Sequence, residues 1–113
     1  MMHILFLCTA NVHRSRTAED YFSARNTRDE FKSAGLSEKY CAKNNSTLCT
    51  IALLNWADRV FVMEAAHVEV ISEYAGKSFL DKVEVLNIED VYQYMQPELV
   101  KILSTNHRLA GFN

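Results

Sequence analysis

Cys8-Thr9-Ala10-Asn11-Val12-His13-Arg14-Ser15 follows directly on the apolar run Ile4-Leu5-Phe6-Leu7 and leads into Arg16-Thr17-Ala18-Glu19. The run is short, continuous and rich in Ile, Leu and Phe, which predicts a buried strand. From Ser15 the pattern changes to a helix, with Ala18, Tyr21 and Phe22 on its inward face. A thiol at the carboxyl end of a strand is thereby looped back onto a helix N-terminus, with five residues between Cys8 and Arg14. The successive N–H groups of such a loop form a concave anion nest. The first turn of the helix adds unpaired donors and the positive end of its dipole. Arg14 supplies a planar, permanently charged fork suited to two oxygens of a phosphate. The same field favours the thiolate of Cys8, which is the nucleophilic form. The Ser15 hydroxyl is placed to donate a hydrogen bond to it.

The rest of the composition limits what surrounds this stretch. A chain of 113 residues holds one core and is too short for two, so residues 1–113 are read as a single domain. Only three glycines and one proline occur, which leaves no linker or low-complexity segment. The formal charge of −2 argues against a general nucleic-acid binder, so a phosphate site here depends on local geometry. Residues Met1 to Cys8 lack a basic leader, and their apolar run is too short for a signal sequence or a membrane span. Cys8, Cys41 and Cys49 form no metal-type pair and leave an odd thiol. They are read as reduced, in a cytoplasmic protein with no metal or other cofactor.

Further along, Phe31-Lys32-Ser33-Ala34 is a short strand ended by Gly35, and residues 36–46 are polar and read as loop. Ser46 or Asn45 then caps a helix over Leu48, Ile51, Leu54 and Trp56. Arg59-Val60-Phe61-Val62-Met63 is a second apolar strand of the kind covered on both faces. Glu64 begins a helix with Val68, Ile71 and Tyr74 at helical spacing, ended by Gly76. Val83-Glu84-Val85-Leu86 is a last strand, and Pro97 opens a final helix after the 87–95 loop. Alternating strands and helices predict an α/β fold, a single-domain three-layer sandwich with about four parallel strands and helices on both faces. Ligands of such sheets bind beyond the carboxyl ends of the strands. Cys8, Glu64 and the 87–95 loop all lie there.

The segment Cys8 to Ser15, so near the N-terminus and directly after the first strand, resembles the phosphate loop of the low-molecular-weight protein tyrosine phosphatases. Other tyrosine phosphatases carry the same cysteine–arginine spacing late in the chain. Ser33-Ala34-Gly35, Val60-Phe61-Val62-Met63-Glu64 and Asp90-Val91-Tyr92 follow in the family's order. The resemblance implies that Cys8 attacks phosphorus to give a phosphocysteine. It also implies that Arg14 and the amides of Thr9, Ala10, Asn11, Val12 and His13 hold the phosphoryl oxygens, and that Ser15 steadies the thiolate. Asn11 matches the asparagine that fixes the strained loop. Asp90 matches the acid that protonates the leaving oxygen and then activates water, and Tyr92 would wall the pocket against an aromatic leaving group. The substrate implied is a phosphorylated protein or a small aryl phosphate, with no nucleic-acid or membrane partner.

Four departures from the family stand out. His13 occupies the place where many members have a second cysteine, Arg16 replaces the usual proline, and Val91 replaces the proline after the acid. The chain is also shorter, between Gly35 and Thr47, in a segment that by the resemblance helps wall the cleft. Two alternatives stay open at this point. Arsenate reduction on a related fold would relay oxidation through Cys41 and Cys49, here read as a loop thiol and a core residue of its helix. A non-catalytic phosphate-binding module would need neither Cys8 nor Asp90. His67 is read as an exposed or edge residue within reach of Asn11, and Glu89 and Asp81 as lesser rivals to Asp90.

Overall fold

The computed structural model describes residues 1–113. Strand β1 (His3–Cys8) is central in a four-stranded, wholly parallel sheet of order β2-β1-β3-β4, with β2 at Glu30–Gly35, β3 at Arg59–Val62 and β4 at Val83–Val85. Ile4, Phe6 and Cys8 point to one face of the sheet while Leu5 and Leu7 point to the other, and Ile4 to Leu7 are fully buried. In β3, Phe61 joins the first face, and Val60 and Val62 the second. A strand buried on both faces has no reason to alternate apolar with polar, hence the unbroken runs in the sequence.

Helices α1 (Arg14–Arg25) and α5 (Pro97–Thr105) cover the first face through Ala18, Tyr21, Phe22, Leu99 and Leu103. On the second face, α3 (Ile51–Trp56) and α4 (Ala66–Ala75) contribute Leu54 and Ile71. The result is the three-layer sandwich expected from the alternation of elements. Phe6 stacks against Phe22, Phe31 and Phe61 at ring separations of 5.8, 6.2 and 5.8 Å. Burying each such ring stabilises the fold by roughly 1.5–3 kcal/mol. No helix is long and apolar enough to cross a membrane.

Three local expectations fail. Residues 36–46 are not simply loop, for they hold helix α2 (Glu38–Asn44), capped by Ser37 and ended by Asn45 in a left-handed conformation (φ 53°). Only Cys41 of α2 is buried, so the segment shows no apolar periodicity to read. The next helix starts at Ile51 with Thr50 as its cap, not at Asn45 or Ser46. Leu48 instead bridges Gly35, and Cys49 donates its N–H to Gly35 O, so Cys49 lies in the connecting segment and not in its helix. Helix α4 begins at Ala66, two residues beyond Glu64, and Tyr74 is exposed.

From β1 the sheet grows to β2 on one side and to β3 on the other. The carboxyl end of β1 is therefore a topological switch point, where open parallel sheets form their ligand crevices. Cys8 is the last residue of β1.

Candidate active site

The loop after Cys8 is shaped by where its carbonyls go. Cys8 O accepts from Leu36 N at 2.9 Å, Thr9 O from Ser37 N at 3.0 Å, and Ala10 O from the Ser46 hydroxyl. All peptides are trans, and in a planar trans peptide the N–H points opposite to the C=O. Three successive carbonyls turned towards residues 36–46 therefore turn the N–H groups of Thr9, Ala10 and Asn11 the other way. Gly35 lets the loop lie this close. A Cβ there would meet Cys41 Sγ, with Thr9 O at 2.8 Å and Ala10 C at 3.0 Å.

Asn11 holds the loop from within. Its φ of 54° is left-handed, a conformation that asparagine tolerates better than most residues. Its buried amide Nδ2 donates to Ser15 Oγ at 2.8 Å and to Ser33 Oγ at 2.9 Å, while Oδ1 accepts from Thr47 N at 3.3 Å. Ser33 Oγ in turn donates its hydrogen bond to Glu19 Oε1. Ser15 Oγ, already an acceptor, lies 3.0 Å from Cys8 Sγ and is left to donate there.

Arg14 is 2% exposed, at the start of α1. Its Nη1 donates to Glu64 Oε2 at 2.9 Å and to Ile88 O at 2.7 Å. One nitrogen thus pins the guanidinium, and the Nε/Nη2 edge remains available as a fork for two oxygens. Asp90 Oδ1 sits 3.7 Å from Nε, so the carboxyl and the clamp share one space.

His67 is buried rather than exposed or at an edge. Its Nδ1 accepts from Glu64 N at 3.1 Å, so in the neutral ring Nε2 carries the proton, and it donates to Thr9 Oγ1 at 3.0 Å. Thr9, not Asn11, is its partner in the loop. Burial first, and then the Arg14 charge, lower its pKa below the ordinary histidine value, against a smaller opposing effect of Glu64 and Asp90.

Cys8, Arg14 and Asp90 line one cavity of about 290 Å³ with Thr9, Ala10, Val12 and His13. Asn11 and Ser15 support it from behind. Tyr92, expected at the wall, is not in the lining and packs against the core of the first face. The aromatic ring in the lining is Tyr40, with Asn44 beside it, both from α2. Cys41, between them in sequence, is buried with its Sγ 3.7 Å from Ala10 O.

No protein-family model and no curated protein sequence matches the chain. Solved structures do match. The tyrosine phosphatase Wzb from Escherichia coli K30, in complex with phosphate, is 25% identical over 90% of this chain and 91% of its own, with a TM-score of 0.71. The low-molecular-weight protein tyrosine phosphatase of T. tengcongensis is 22% identical over 99% and 95%, with a TM-score of 0.70. The YwlE arginine phosphatase of Geobacillus stearothermophilus is 20% identical over 99% and 88%, with a TM-score of 0.64.

The chain has the fold of the low-molecular-weight protein tyrosine phosphatases.

Within that phosphatase fold, the segment after Gly35 walls the cleft as the resemblance implied, but sequence reading missed that it is a helix and that Tyr40 and Asn44 are its lining residues. Tyr40 and Asn44 stand four residues apart, one helical turn, and the Asn44 amide donates to Tyr40 O at 2.8 Å. The spacing was legible, but nothing in so polar a segment marked it as helical. Glu64 was legible as a strand-end residue, yet its pairing with Arg14 across fifty positions was not.

Proposed function

We propose that this chain is a cysteine-dependent phosphatase that hydrolyses phosphate monoesters, with protein phosphotyrosine as its substrate. The convergence of Cys8, Arg14 and Asp90 on one cavity carries the reading. In the first step Cys8 Sγ attacks phosphorus, the bond from phosphorus to the leaving oxygen breaks, and Asp90 gives that oxygen its proton. Arg14 and the loop N–H groups hold the equatorial oxygens, where orientation and charge stabilisation supply most of the rate. In the second step water attacks the phosphocysteine, Asp90 takes a proton from it, and the P–S bond breaks to release phosphate and the thiolate.

The Tyr40 ring and the apolar Val12 side chain support an aryl leaving group over the guanidino group of a phosphoarginine. Arsenate reduction has little support. Cys41 and Cys49 are both buried, and burial pushes the Cys49 thiol up to about 12, far from a relay nucleophile. The reducing, cytoplasmic setting read from the sequence belongs to the same proposal.

Hydrolysis of 4-nitrophenyl phosphate between about pH 5 and 8, without added metal, tests the reading beside Cys8→Ser and Asp90→Ala. The expected result is turnover by the parent, none by Cys8→Ser, and a loss of about 100-fold in Asp90→Ala. A Cys8→Ser variant that still turns over ends it. Phosphate binding with no turnover by the parent would instead favour a binding module. Phosphotyrosine and phosphoarginine compared as substrates decide the leaving group.

A further inference from the structure

Asp90 sits in a stretch with little to hold it. Glu89, Asp90 and Val91 are exposed, and residues 86–96 form no helix or strand. What fixes the stretch lies on either side. Upstream, Ile88 is buried, donates its N–H to Met63 O at 2.8 Å, and gives its carbonyl to Arg14 Nη1 at 2.7 Å. Downstream, beyond Tyr92 on the core, Tyr94 N donates to His13 Nδ1 at 3.1 Å. Met95 N then donates to Thr17 Oγ1 at 2.9 Å, and the Tyr94 hydroxyl reaches Asp20. Two adjacent residues of the phosphate loop, His13 and Arg14, thus grip the acid loop on opposite sides of Asp90.

We infer that His13 is a positioning residue, which ties the acid loop to the phosphate loop and so holds Asp90 over the leaving oxygen. The inference rests on the reading of the chain as a phosphatase with Asp90 as its acid. A neutral imidazole suits the task because Nδ1 accepts the Tyr94 N–H while the ring forms part of the cavity wall. Asparagine carries an acceptor oxygen at the same bond distance from Cβ, so His13→Asn keeps the tie and His13→Ala removes it.

Leaving groups of different basicity separate this role from simple support of the phosphate site. A 4-nitrophenolate departs with little help, whereas a phenolate needs the acid. In His13→Ala, kcat/KM on phenyl phosphate is expected to fall about fivefold more than on 4-nitrophenyl phosphate, as expected for one lost hydrogen bond. His13→Asn restores it, and on an Asp90→Ala background the further loss disappears. Amide exchange at Tyr94 accelerates in His13→Ala and is protected again in His13→Asn. Equal losses on both esters, or a loss that persists without Asp90, overturn the inference. Unchanged Tyr94 exchange in His13→Ala overturns it as well. A parent with no turnover would end the phosphatase reading, and with it Asp90 as acid, while the exchange measurement still decides whether His13 holds the loop.

Discussion

Ser15 stands in a one-way relationship to Cys8. Its oxygen accepts the Asn11 amide at 2.8 Å, so the proton it carries is directed at Cys8 Sγ, 3.0 Å away. Hydrogen bonds to ionised groups are worth about 1.5–3 kcal/mol. Ser15→Ala should therefore lower kcat/KM for an aryl phosphate by about tenfold or more. Alkylation of Cys8 by iodoacetate at pH 6 should slow in parallel. If neither changes, the loop amides alone hold the sulfur.

The Tyr40 ring lines the cavity from α2, and on the proposed reading it would meet the leaving group rather than the phosphate. Tyr40→Ala is expected to raise KM for aryl phosphates by roughly 2- to 10-fold, the range of one aromatic pair. Inhibition by inorganic phosphate should stay as in the parent. Weaker phosphate inhibition as well would mean that α2 shapes the phosphate loop itself.

Gly35 sits where β2, α2 and the phosphate loop meet. Gly35→Ala forces a methyl group against Thr9 O and Ala10 C, and the backbone must shift. Overpacking of this kind costs roughly 1–3 kcal/mol, read as a lower urea midpoint. Phosphate should also bind more weakly, because the displaced atoms belong to its loop. Adding Cys41→Ala relieves the sulfur contact but not the backbone ones, so only part of the loss should return.

His67 makes stability depend on pH. The unfolded chain takes up a proton at the ordinary histidine value of about 6.5. The folded chain does so only at lower pH, because burial and Arg14 oppose it. Between the two values the unfolded state holds more protons. Stability is thus full above about 6.5 and falls as pH drops through that value towards the folded one. A protonated Nδ1 would also face the Glu64 N–H, donor against donor. Urea midpoints at pH 7.5 and 5 should separate more in the parent than in His67→Gln. Equal separations would assign the acid sensitivity elsewhere.

How much of this was legible follows from physical locality. The strands β1 and β3 announced themselves because burial on both faces leaves unbroken apolar runs. Cys8, Arg14, Ser15 and Asn11 were legible because one loop and one helix turn bring them together. Asp90 was legible through the resemblance and its place after the last strand. The rest depends on long-range contact. Helix α2 buries only Cys41, so no periodicity betrayed it, and the aromatic ring of the wall was assigned to Tyr92 instead of Tyr40. His67 looked like a surface residue because its partners, Thr9 and the Glu64 amide, sit on a loop end and a chain reversal with no shared sequence pattern.

Tyr40 and Asn44 occupy one face of a helix, while Cys41 on another face is packed beneath the phosphate loop. On this side the opening of the cleft is therefore set by the diameter of a helix and the rotamers of two side chains, while the Asp90 side is formed by a loop. Rigid elements hold sites more tightly than loops do. A helical rim of this kind is preset, so it loses little conformational entropy when a substrate enters. Its preferences should then be altered more readily by replacing residues 40 and 44 than by lengthening the segment between Gly35 and Thr47.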